Sequence, residues 1–436
     1  MTAPVAERTV SLAEPAPTRF RRILVLTQYY APETGAPPIR LRAMVKELRR
    51  QGCEVRVLTG MPNYPTGRLK PGYEGRLHLR EEIDGVPIER VWLYPAAGRN
   101  AAKRLANYLS FTATSALALA RIDDVDLVFV EAQPITLALA ALLHAKLRGV
   151  PFVYNTPDLQ VEYADEDRWG VRGLIRAARA MEGGLMRRAL SVTTVTHAFI
   201  DHFATERAVP RSRLTFLPNG ADTEVLRPLP RDRALAERLG VGDRKVFTFA
   251  GTHAPYQGLE VILEAAKRLR DREDIVFLMV GDGPVRQQLI EKARVEGIDN
   301  VLFRSSPFDE MPALMSLTYA SLVVLRKLKI ATKMRLSKAI PPLACGVPLV
   351  YAGWGETAEI VEREGVGLRV DPEDPGALAD AVRALADAPA RREEMGRRGR
   401  ELALREFSWS YIVHDWLRQV ERVAAGLDPE VPCSTG

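Results

Sequence analysis

Short apolar runs alternate with amphipathic stretches along the chain. In the first half, candidate strands rich in Val, Leu, Ile and Phe lie at residues 23–27, 54–59, 126–131, 152–155 and 191–195. Between the first two runs, apolar residues recur at the spacing of one helical face, at Leu41, Met44, Val45 and Leu48. Strands that are apolar throughout are covered on both faces, so this pattern predicts a doubly wound parallel α/β sheet.

The alternation stops at residues 216–232, where Pro, Asn, Gly and Asp cluster as they do in linkers, and then starts again. Candidate strands of the second half lie at residues 246–250, 275–280, 301–304, 321–325 and 347–351. We therefore predict two Rossmann-like domains in tandem, which a length of 436 residues accommodates at ~100–200 residues each. The predicted divisions are a disordered tail (1–18), a first domain (19–222), a second domain (223–405), a final helix (406–424) and a second tail (425–436).

Composition narrows the class of protein. With 47% hydrophobic and 27% charged residues, the chain is typical of globular proteins. Its three cysteines have no paired spacing, which argues against a disulfide framework or a zinc site and indicates a reducing cytoplasm. The net charge of +6 is spread along Arg-rich helices, which suits an anionic ligand or an acidic membrane surface better than nucleic acid.

No segment predicts export or membrane insertion. Residues 1–18 lack the charged start and apolar run of a signal peptide, and the apolar stretch 108–120 is shorter than the ~20 residues of a spanning helix. We expect a cytoplasmic protein. The basic start and apolar body of residues 103–120 predict peripheral binding to an anionic membrane at its inner face, with a buried structural helix as the alternative.

Loops that follow strands and precede helices predict the ligand site, because helix amides converge there and favour anions. Gly35 lies in such a loop of the first half, where a tight turn is the alternative reading. Three loops of the second half, at residues 251–258, 281–284 and 353–356, should share one edge of the second sheet. We expect them to face the first domain across a ligand-binding cleft.

Several side chains near these loops could carry chemistry. His253 could donate a hydrogen bond to a phosphate or a sugar hydroxyl, and Lys338 could bring a positive charge to a leaving pyrophosphate. In the first half, Glu131, Asp158 and Glu162 could accept a proton from an acceptor hydroxyl. A helix-entry role for His253, an exposed surface role for Lys338 and helix capping by Asp158 remain alternatives.

Longer stretches of the chain resemble a known family. They are QYYAPETGAPPIRL, LTGMPNYPTGR followed by PGYEGR, EEIDGVPIERVWLYP, LPNGAD, AGTHAPYQGL and VGDGP. Together they are similar to retaining glycosyltransferases of family 4, in the branch of the WbuB-type aminosugar transferases of surface-polysaccharide synthesis. The resemblance runs from about residue 21 to residue 423.

This resemblance implies a GT-B fold, retention of anomeric configuration, no bound metal, and a final helix that crosses back to the first domain. It implies a nucleotide-sugar donor, which we expect to be a UDP-sugar, no other cofactor, and a polyprenyl-linked or other cytoplasmic acceptor. The implied donor-side residues are Gly35, Gly251, Thr252, His253, Gly281, Asp282, Gly283, Lys338, Gly355 and Glu356. The implied acceptor-side residues are Asn63, Tyr64, Glu131, Asp158 and Glu162, and we expect Asp158, Lys338 and His253 to be catalytic.

Two departures from the family pattern stand out. The wider family carries two glutamates eight positions apart, the second of which holds the nucleotide ribose, but Lys333 and Pro341 occupy those places here. Losing one such hydrogen-bonding partner costs about 1.5–3 kcal/mol of donor binding. A non-catalytic homologue that binds a sugar nucleotide or a partner subunit is therefore the competing hypothesis, and a GT-B epimerase is a third.

Overall fold

The computed structural model describes residues 18–96, 100–162 and 172–432, so most of the predicted first tail and Cys433 lie outside the described residues. The chain divides into two compact units. The first unit contains the residues up to 194, residues 200–217 and residues from 413 onward. The second unit contains residues 195–199 and 218–412.

The first unit is built on a sheet of eight strands, as far as its described residues go. The strands are β1 (Arg22–Leu26), β2 (Glu54–Gly60), β3 (His78–Ile83), β4 (Val86–Val91), β5 (Leu127–Glu131), β6 (Phe152–Thr156), β7 (Ser191–Thr194) and β8 (Leu214–Phe216). Their spatial order is β3-β4-β2-β1-β5-β6-β7-β8, with every neighbouring pair parallel except β3 and β4. The five predicted strands are confirmed within one residue at each end, whereas β3, β4 and β8 were not predicted.

Helices connect these strands. They are α1 (Ala36–Arg50), α2 (Ala101–Leu119), α3 (Leu137–Arg148), α4 (Arg172–Met186) and α5 (His197–Glu206). Helix α1 buries the predicted stripe, including Leu41 and Leu48, and ends just before Gly52, whose positive φ of 88° stops the helix. In the described residues, no helix is long and apolar enough to cross a membrane.

The second unit contains a six-stranded parallel sheet. Its strands are β9 (Lys245–Ala250), β10 (Ile275–Val280), β11 (Val301–Arg304), β12 (Thr318–Val324), β13 (Leu349–Ala352) and β14 (Gly367–Val370), in the order β11-β10-β9-β12-β13-β14. Its helices are α6 (Arg233–Leu239), α7 (Glu260–Lys267), α8 (Arg286–Val295), α9 (Met311–Leu317), α10 (Ile340–Ala344), α11 (Glu356–Glu364), α12 (Pro375–Ala386) and α13 (Pro389–Leu402). Strands β9 and β10 are almost wholly buried, as their apolar sequences predict.

The final helix, α14 (Trp409–Ala424), belongs to the first unit from residue 413 onward. Trp416 is fully buried there, and the Gln419 carboxamide accepts a 2.8 Å hydrogen bond from the backbone N–H of Phe216. Residues 425–432 follow the helix, and Glu430 forms a 3.0 Å ion pair with Arg418. The return of the last helix to the first unit is the GT-B topology that the family resemblance implied.

Candidate active site

The three glycine loops of the second unit lie at one edge of its sheet. They follow β9, β10 and β13, and these strands run parallel within the same sheet. The carboxyl ends of parallel strands share an edge, which is where doubly wound folds bind ligands. The common edge predicted for these loops is therefore confirmed.

The first two loops interlock through their backbones. The N–H of His253 donates a 2.8 Å hydrogen bond to the carbonyl of Asp282, and the carbonyl of His253 accepts one of 3.1 Å from Val285. A Cβ on Gly283 would lie 2.5 Å from the His253 oxygen, and a Cβ on Gly281 would collide with the carbonyl of Gly251. Only glycine fits both positions, whose φ angles are also positive.

Lys338 points its ammonium group into this loop region. It lies in the 3₁₀ turn Ser337–Ala339 that leads into α10, and its Nζ is 3.2 Å from where a Cβ on Gly251 would stand. The Nζ lies 4.9 Å from the centre of the Phe249 ring and has no hydrogen-bond partner within the described ranges. Burial lowers the pKa of Lys338 to about 8. A desolvated, unpartnered cation beside glycine loops is suited to binding an anion.

His253 lies behind the loop surface. Its ring is fully buried, with its centre 5.7 Å from that of Phe249 and 6.3 Å from that of Phe303. Neither ring nitrogen has a hydrogen-bond partner in the described part of the chain. Burial, followed by the charge of Arg286, lowers the pKa of His253, so the ring is neutral at pH 7. Hydrogen bonding of His253 to a ligand remains a prediction. In the structure, the backbone of His253 links the first two loops.

Among the predicted donor-side residues of these loops, Thr252 and Asp282 are exposed. The Asp282 carboxylate accepts a 2.8 Å hydrogen bond from the backbone N–H of Gly283, which occupies one of its oxygens. Thr252 and the second Asp282 oxygen are placed where a ligand can reach them. Their predicted contacts with a donor are not tested by this geometry.

Glu356 opens α11 and is held by two basic side chains of the second unit. Its Oε1 lies 3.1 Å from His197 Nδ1 and 3.1 Å from Arg335 Nη1, and its Oε2 accepts a 3.3 Å hydrogen bond from the His197 N–H. Burial alone would raise the pKa of Glu356, but the hydrogen bond from His197 and the charge of Arg335 lower it. The preceding Gly355 has a φ of 83°, and a Cβ there would lie 2.6 Å from the Thr332 carbonyl. Neither His197 nor Arg335 was predicted from the sequence, because their contacts with Glu356 join residues that are far apart in the chain.

The two departures from the family pattern flank Lys338. Lys333 ends the 3₁₀ turn Lys329–Lys333, and Pro341 lies in the first turn of α10. Proline fits there because the first helical residues need no N–H partner. Pro341 therefore has no carboxylate at the position where the family pattern has a glutamate.

In the first unit, Gly35 and Tyr64 are neighbours. Gly35 caps α1 with an extended φ of 167°, and a Cβ on it would lie 2.7 Å from Tyr64 Cε1. The missing Cβ of Gly35 leaves room for the Tyr64 ring, and binding of a phosphate by this loop stays a prediction. Asn63 and Tyr64 follow β2, and both of their N–H groups donate to Glu33 Oε1, at 2.8 and 2.7 Å. The buried Glu33 was not singled out from the sequence because its partners are distant backbone groups.

The acidic candidates of the first unit have different surroundings. Asp158 accepts a 2.9 Å hydrogen bond from Gln133 Nε2. Glu131 is buried at the end of β5 and pairs with Arg40 Nη2 at 2.6 Å, while Asn155 also donates to it. Asp158 alone among the three acidic candidates is free of an ion pair with arginine in the described residues.

Glu162 belongs to a buried ion cluster. Its Oε1 pairs with Arg207 Nη2 at 2.5 Å, and Arg207 also pairs with Glu182 at 2.7 Å. Burial alone would raise the pKa of Glu162, but hydrogen bonds from His202 and Arg207 lower it to about 2. This arrangement gives Glu162 a structural partner, and its acceptor-side role stays a prediction.

A solved structure with the same architecture defines the class. HepE of Anabaena, in complex with UDP and glucose, superposes with a TM-score of 0.68 over 94% of this chain and 100% of that chain, at 18% identity. Two parallel Rossmann-like sheets with a last helix returning to the first unit make this chain a GT-B protein. The predicted fold class is confirmed.

Sequence comparisons define the family. Residues 35–220 match the glycosyl transferase 4-like domain, and residues 244–388 match the glycosyl transferases group 1. WcaI of Escherichia coli K12, a putative colanic acid biosynthesis glycosyl transferase, is 29% identical over 377 residues, which cover 83% of this chain and 91% of that one. The MMP alpha-(1->4)-mannosyltransferase of Mycolicibacterium hassiacum is 26% identical over 431 residues, or 93% and 98% of the two chains. The chain belongs to the family 4 glycosyltransferases, as its motifs predicted.

Proposed function

We propose that this glycosyltransferase moves a sugar from a nucleotide-sugar donor to a lipid-linked or other acceptor, with retention of configuration and without a bound metal. The observation that carries the proposal is the unpartnered Lys338 ammonium beside the loops of Gly251 and Gly281. A sugar nucleotide supplies the diphosphate that such a site lacks. A UDP-sugar is the proposed donor, and the complexes of HepE with UDP and with UDP-glucose support it.

The proposed mechanism relies on charge and positioning. As the bond between sugar and diphosphate breaks, negative charge grows on the leaving diphosphate, and Lys338 together with the loop N–H groups stabilises it. Asp158, held by Gln133, is the proposed acceptor of the proton from the incoming hydroxyl. Glu356, held by Arg335 and His197, is a further proposed donor-side residue.

The test is a transfer assay with the purified full-length chain. UDP-, GDP- and TDP-sugars are offered with polyprenyl-diphosphate glycans, and the anomeric configuration of the product is read by NMR. We expect transfer with retention from at least one donor, insensitive to a metal chelator. Lys338→Met should lose about two to three orders of magnitude in kcat, as removal of one oxyanion donor does elsewhere.

Thermal-shift measurements with the same nucleotides separate the alternatives, because a ligand that prefers the folded state raises apparent stability. Stabilisation by UDP without any transfer or donor hydrolysis would favour the non-catalytic homologue. Interconversion of sugar nucleotides without an acceptor would favour an epimerase. No stabilisation and no turnover with any nucleotide would contradict the proposed function.

We also propose that the first unit binds anionic membrane surfaces through α2 and α3. The two helices lie side by side, since Thr112 Oγ1 donates a 3.0 Å hydrogen bond to Thr136 Oγ1 and Arg148 donates to the carbonyl of Ala120. Six leucines on them are 40–66% exposed, namely Leu105, Leu109, Leu117, Leu139, Leu143 and Leu147. The charged residues of these helices are all basic, namely Lys103, Arg104, Lys146 and Arg148. Exposed leucines flanked by cations suit an anionic bilayer.

Vesicle co-sedimentation tests this second proposal. Wild-type protein should sediment with phosphatidylglycerol vesicles more than with phosphatidylcholine vesicles, and less so at high salt. The double variant Leu109→Ser/Leu143→Ser should sediment less. Val295→Ser, which changes an exposed residue at the end of α8 in the second unit, should sediment like the wild type. Equal sedimentation with both lipids, or an unaffected double variant, would contradict it.

A further inference from the structure

Tyr64 is an exposed aromatic residue whose ring and backbone both contact neighbouring groups of the first unit. Tyr64 is 38% exposed, and two residues that are distant from it in sequence contact its ring. The Gly35 backbone lies against one edge of the ring, and the Tyr29 ring lies 5.3 Å away at an angle of 56°. These two contacts restrict the ring and leave one of its sides toward solvent.

The backbone that carries this ring is also fixed. The buried Glu33 carboxylate accepts N–H groups from Asn63 and Tyr64 on Oε1 and from Tyr30 on Oε2, at 2.7–3.1 Å. It therefore ties the loop after β1 to the loop after β2. Arg90, fully buried, donates to the carbonyls of Ala31 and Gly60 and strengthens the same link.

The position of the ring matches a ligand site. Strands β1 and β2 are parallel neighbours, so the loops that follow them meet at the carboxyl edge of the sheet in the first unit. Loops at this edge carry ligands in doubly wound folds. A rigid tyrosine there supplies a large contact area at little entropic cost.

We propose that Tyr64, supported by Tyr29, is a stacking platform for a pyranose ring of the acceptor. The face of an aromatic ring is electron-rich, and the C–H bonds on the less polar face of a pyranose are its complement. The proposal rests on the proposed transferase function. It assigns Gly35 the role of seating the Tyr64 ring, and it assigns Glu33 the role of a positioning residue.

Saturation-transfer NMR of the full chain with methyl α-D-glucopyranoside, methyl α-D-mannopyranoside and methyl N-acetyl-α-D-glucosaminide tests the platform. We expect at least one of these sugars to bind the wild type. Tyr64→Ala should weaken that binding about fivefold or more, while Tyr64→Phe should stay within about twofold. Tyr411→Ala removes an equally exposed tyrosine elsewhere and should change nothing.

The substitution Gly35→Ala separates a ring-seating role from a phosphate-binding one. Its extended backbone admits alanine without strain, so the new methyl group acts only by displacing Tyr64. Gly35→Ala should weaken sugar binding in the wild-type background but cause no further loss of sugar binding in a Tyr64→Ala background, because both changes remove the same interaction. The affinity for UDP should remain unchanged in both variants.

Three outcomes overturn the platform: no sugar binds the wild type, Tyr64→Ala binds sugars normally, or Tyr64→Ala and Gly35→Ala weaken UDP as much as sugar. In the last case the ring serves the nucleotide. UDP binding without sugar binding leaves the transferase proposal intact and rejects the platform. Sugar binding without UDP binding or turnover rejects the transferase proposal and keeps a sugar-binding tyrosine.

Discussion

The indole N–H of Trp416 donates a 3.0 Å hydrogen bond to the hydroxyl of Thr193, which lies 223 positions earlier in the chain. The ring meets Phe129 edge to face at 5.4 Å, inside the first unit. Trp416 of the last helix thus packs against strands β5 and β7. Packing of α14 is therefore part of the core of the first unit.

Removing this ring should destabilise the first unit strongly. Trp416→Ala is expected to cost about 3–5 kcal/mol, because it leaves a large buried cavity. Trp416→Phe should cost less, since Thr193 keeps its 2.7 Å hydrogen bond with Thr215. Urea unfolding followed by circular dichroism measures both, with Leu427→Ala, an exposed position beyond the same helix, as the neutral control. Equal stability of Trp416→Ala and wild type would contradict the structure of this contact.

Binding of UDP should depend on pH through Lys338. Its pKa is about 8 without ligand, below the usual 10.5, and a bound diphosphate raises it because an opposite charge favours the ammonium form. Affinity should be constant below that pKa and fall as the pH rises through it, by up to about tenfold per pH unit. Calorimetric titrations in buffers of different ionisation enthalpy should show proton uptake on binding in this range. Lys338→Arg, always charged, should remove the pH dependence, and a flat profile for the wild type would contradict the assignment.

The buried cluster around Arg207 should matter far more than an exposed ion pair nearby. Arg207→Met leaves the buried Glu182 without its cation and removes one of the basic partners of Glu162, at a cost of about 3–5 kcal/mol. Arg211→Met breaks only the exposed pair with Asp201, which contributes less than about 1 kcal/mol. Similar unfolding midpoints in urea for the two variants would show that the cluster does not stabilise the fold.

The same cluster makes the stability of the fold depend on pH in the acid range. Because the pKa of Glu162 is lowered from 4.5 to about 2, its contribution to stability is complete above pH 4.5 and is lost as the pH falls toward 2. Glu162→Gln should therefore show a shallower loss of stability over this interval than the wild type. Parallel acid-unfolding curves would contradict the lowered pKa.

Restoring a carboxylate at position 341 should strengthen donor binding. The family pattern places a ribose-binding glutamate there, and a glutamate in the first turn of α10 also suits the helix dipole. Pro341→Glu is expected to tighten UDP binding about tenfold or more. The gain should vanish with 2′,3′-dideoxy-UDP, which lacks both ribose hydroxyls. An equal gain with both nucleotides would show that the effect is not a ribose contact.

Strands buried on both faces could be predicted from the sequence, whereas edge strands could not. The run that forms β10 is apolar at every position, so its burial follows from composition alone. Strand β3, in contrast, alternates exposed and half-buried residues at the edge of its sheet. Its sequence HLREEI carries too little hydrophobicity to mark a strand. Pairing with β4 supplies what the local pattern lacks.

Residues of the candidate site could be predicted from the sequence where their role depends on the local sequence of one loop. Gly281 and Gly283 could be recognised because close backbone approach requires glycine. Glu33 and Arg90 could not, because they act on main-chain groups that are distant in sequence. The missing side chain of Gly35 also makes room for Tyr64, a contact between loops that only the three-dimensional arrangement reveals.

The first unit is built from segments that are separated in the chain, and this has a consequence for its synthesis on the ribosome. Residues 218–412 are translated before the part of α14 that belongs to the first unit, and at ~5–20 residues per second their synthesis takes about 10–40 seconds. Until Trp416 is translated, the first unit lacks the indole ring that packs on Phe129 and Thr193, whereas all six strands of the second unit have been translated by residue 370. The second unit thus has the complete sequence of its sheet before the first unit receives the helix that completes its core.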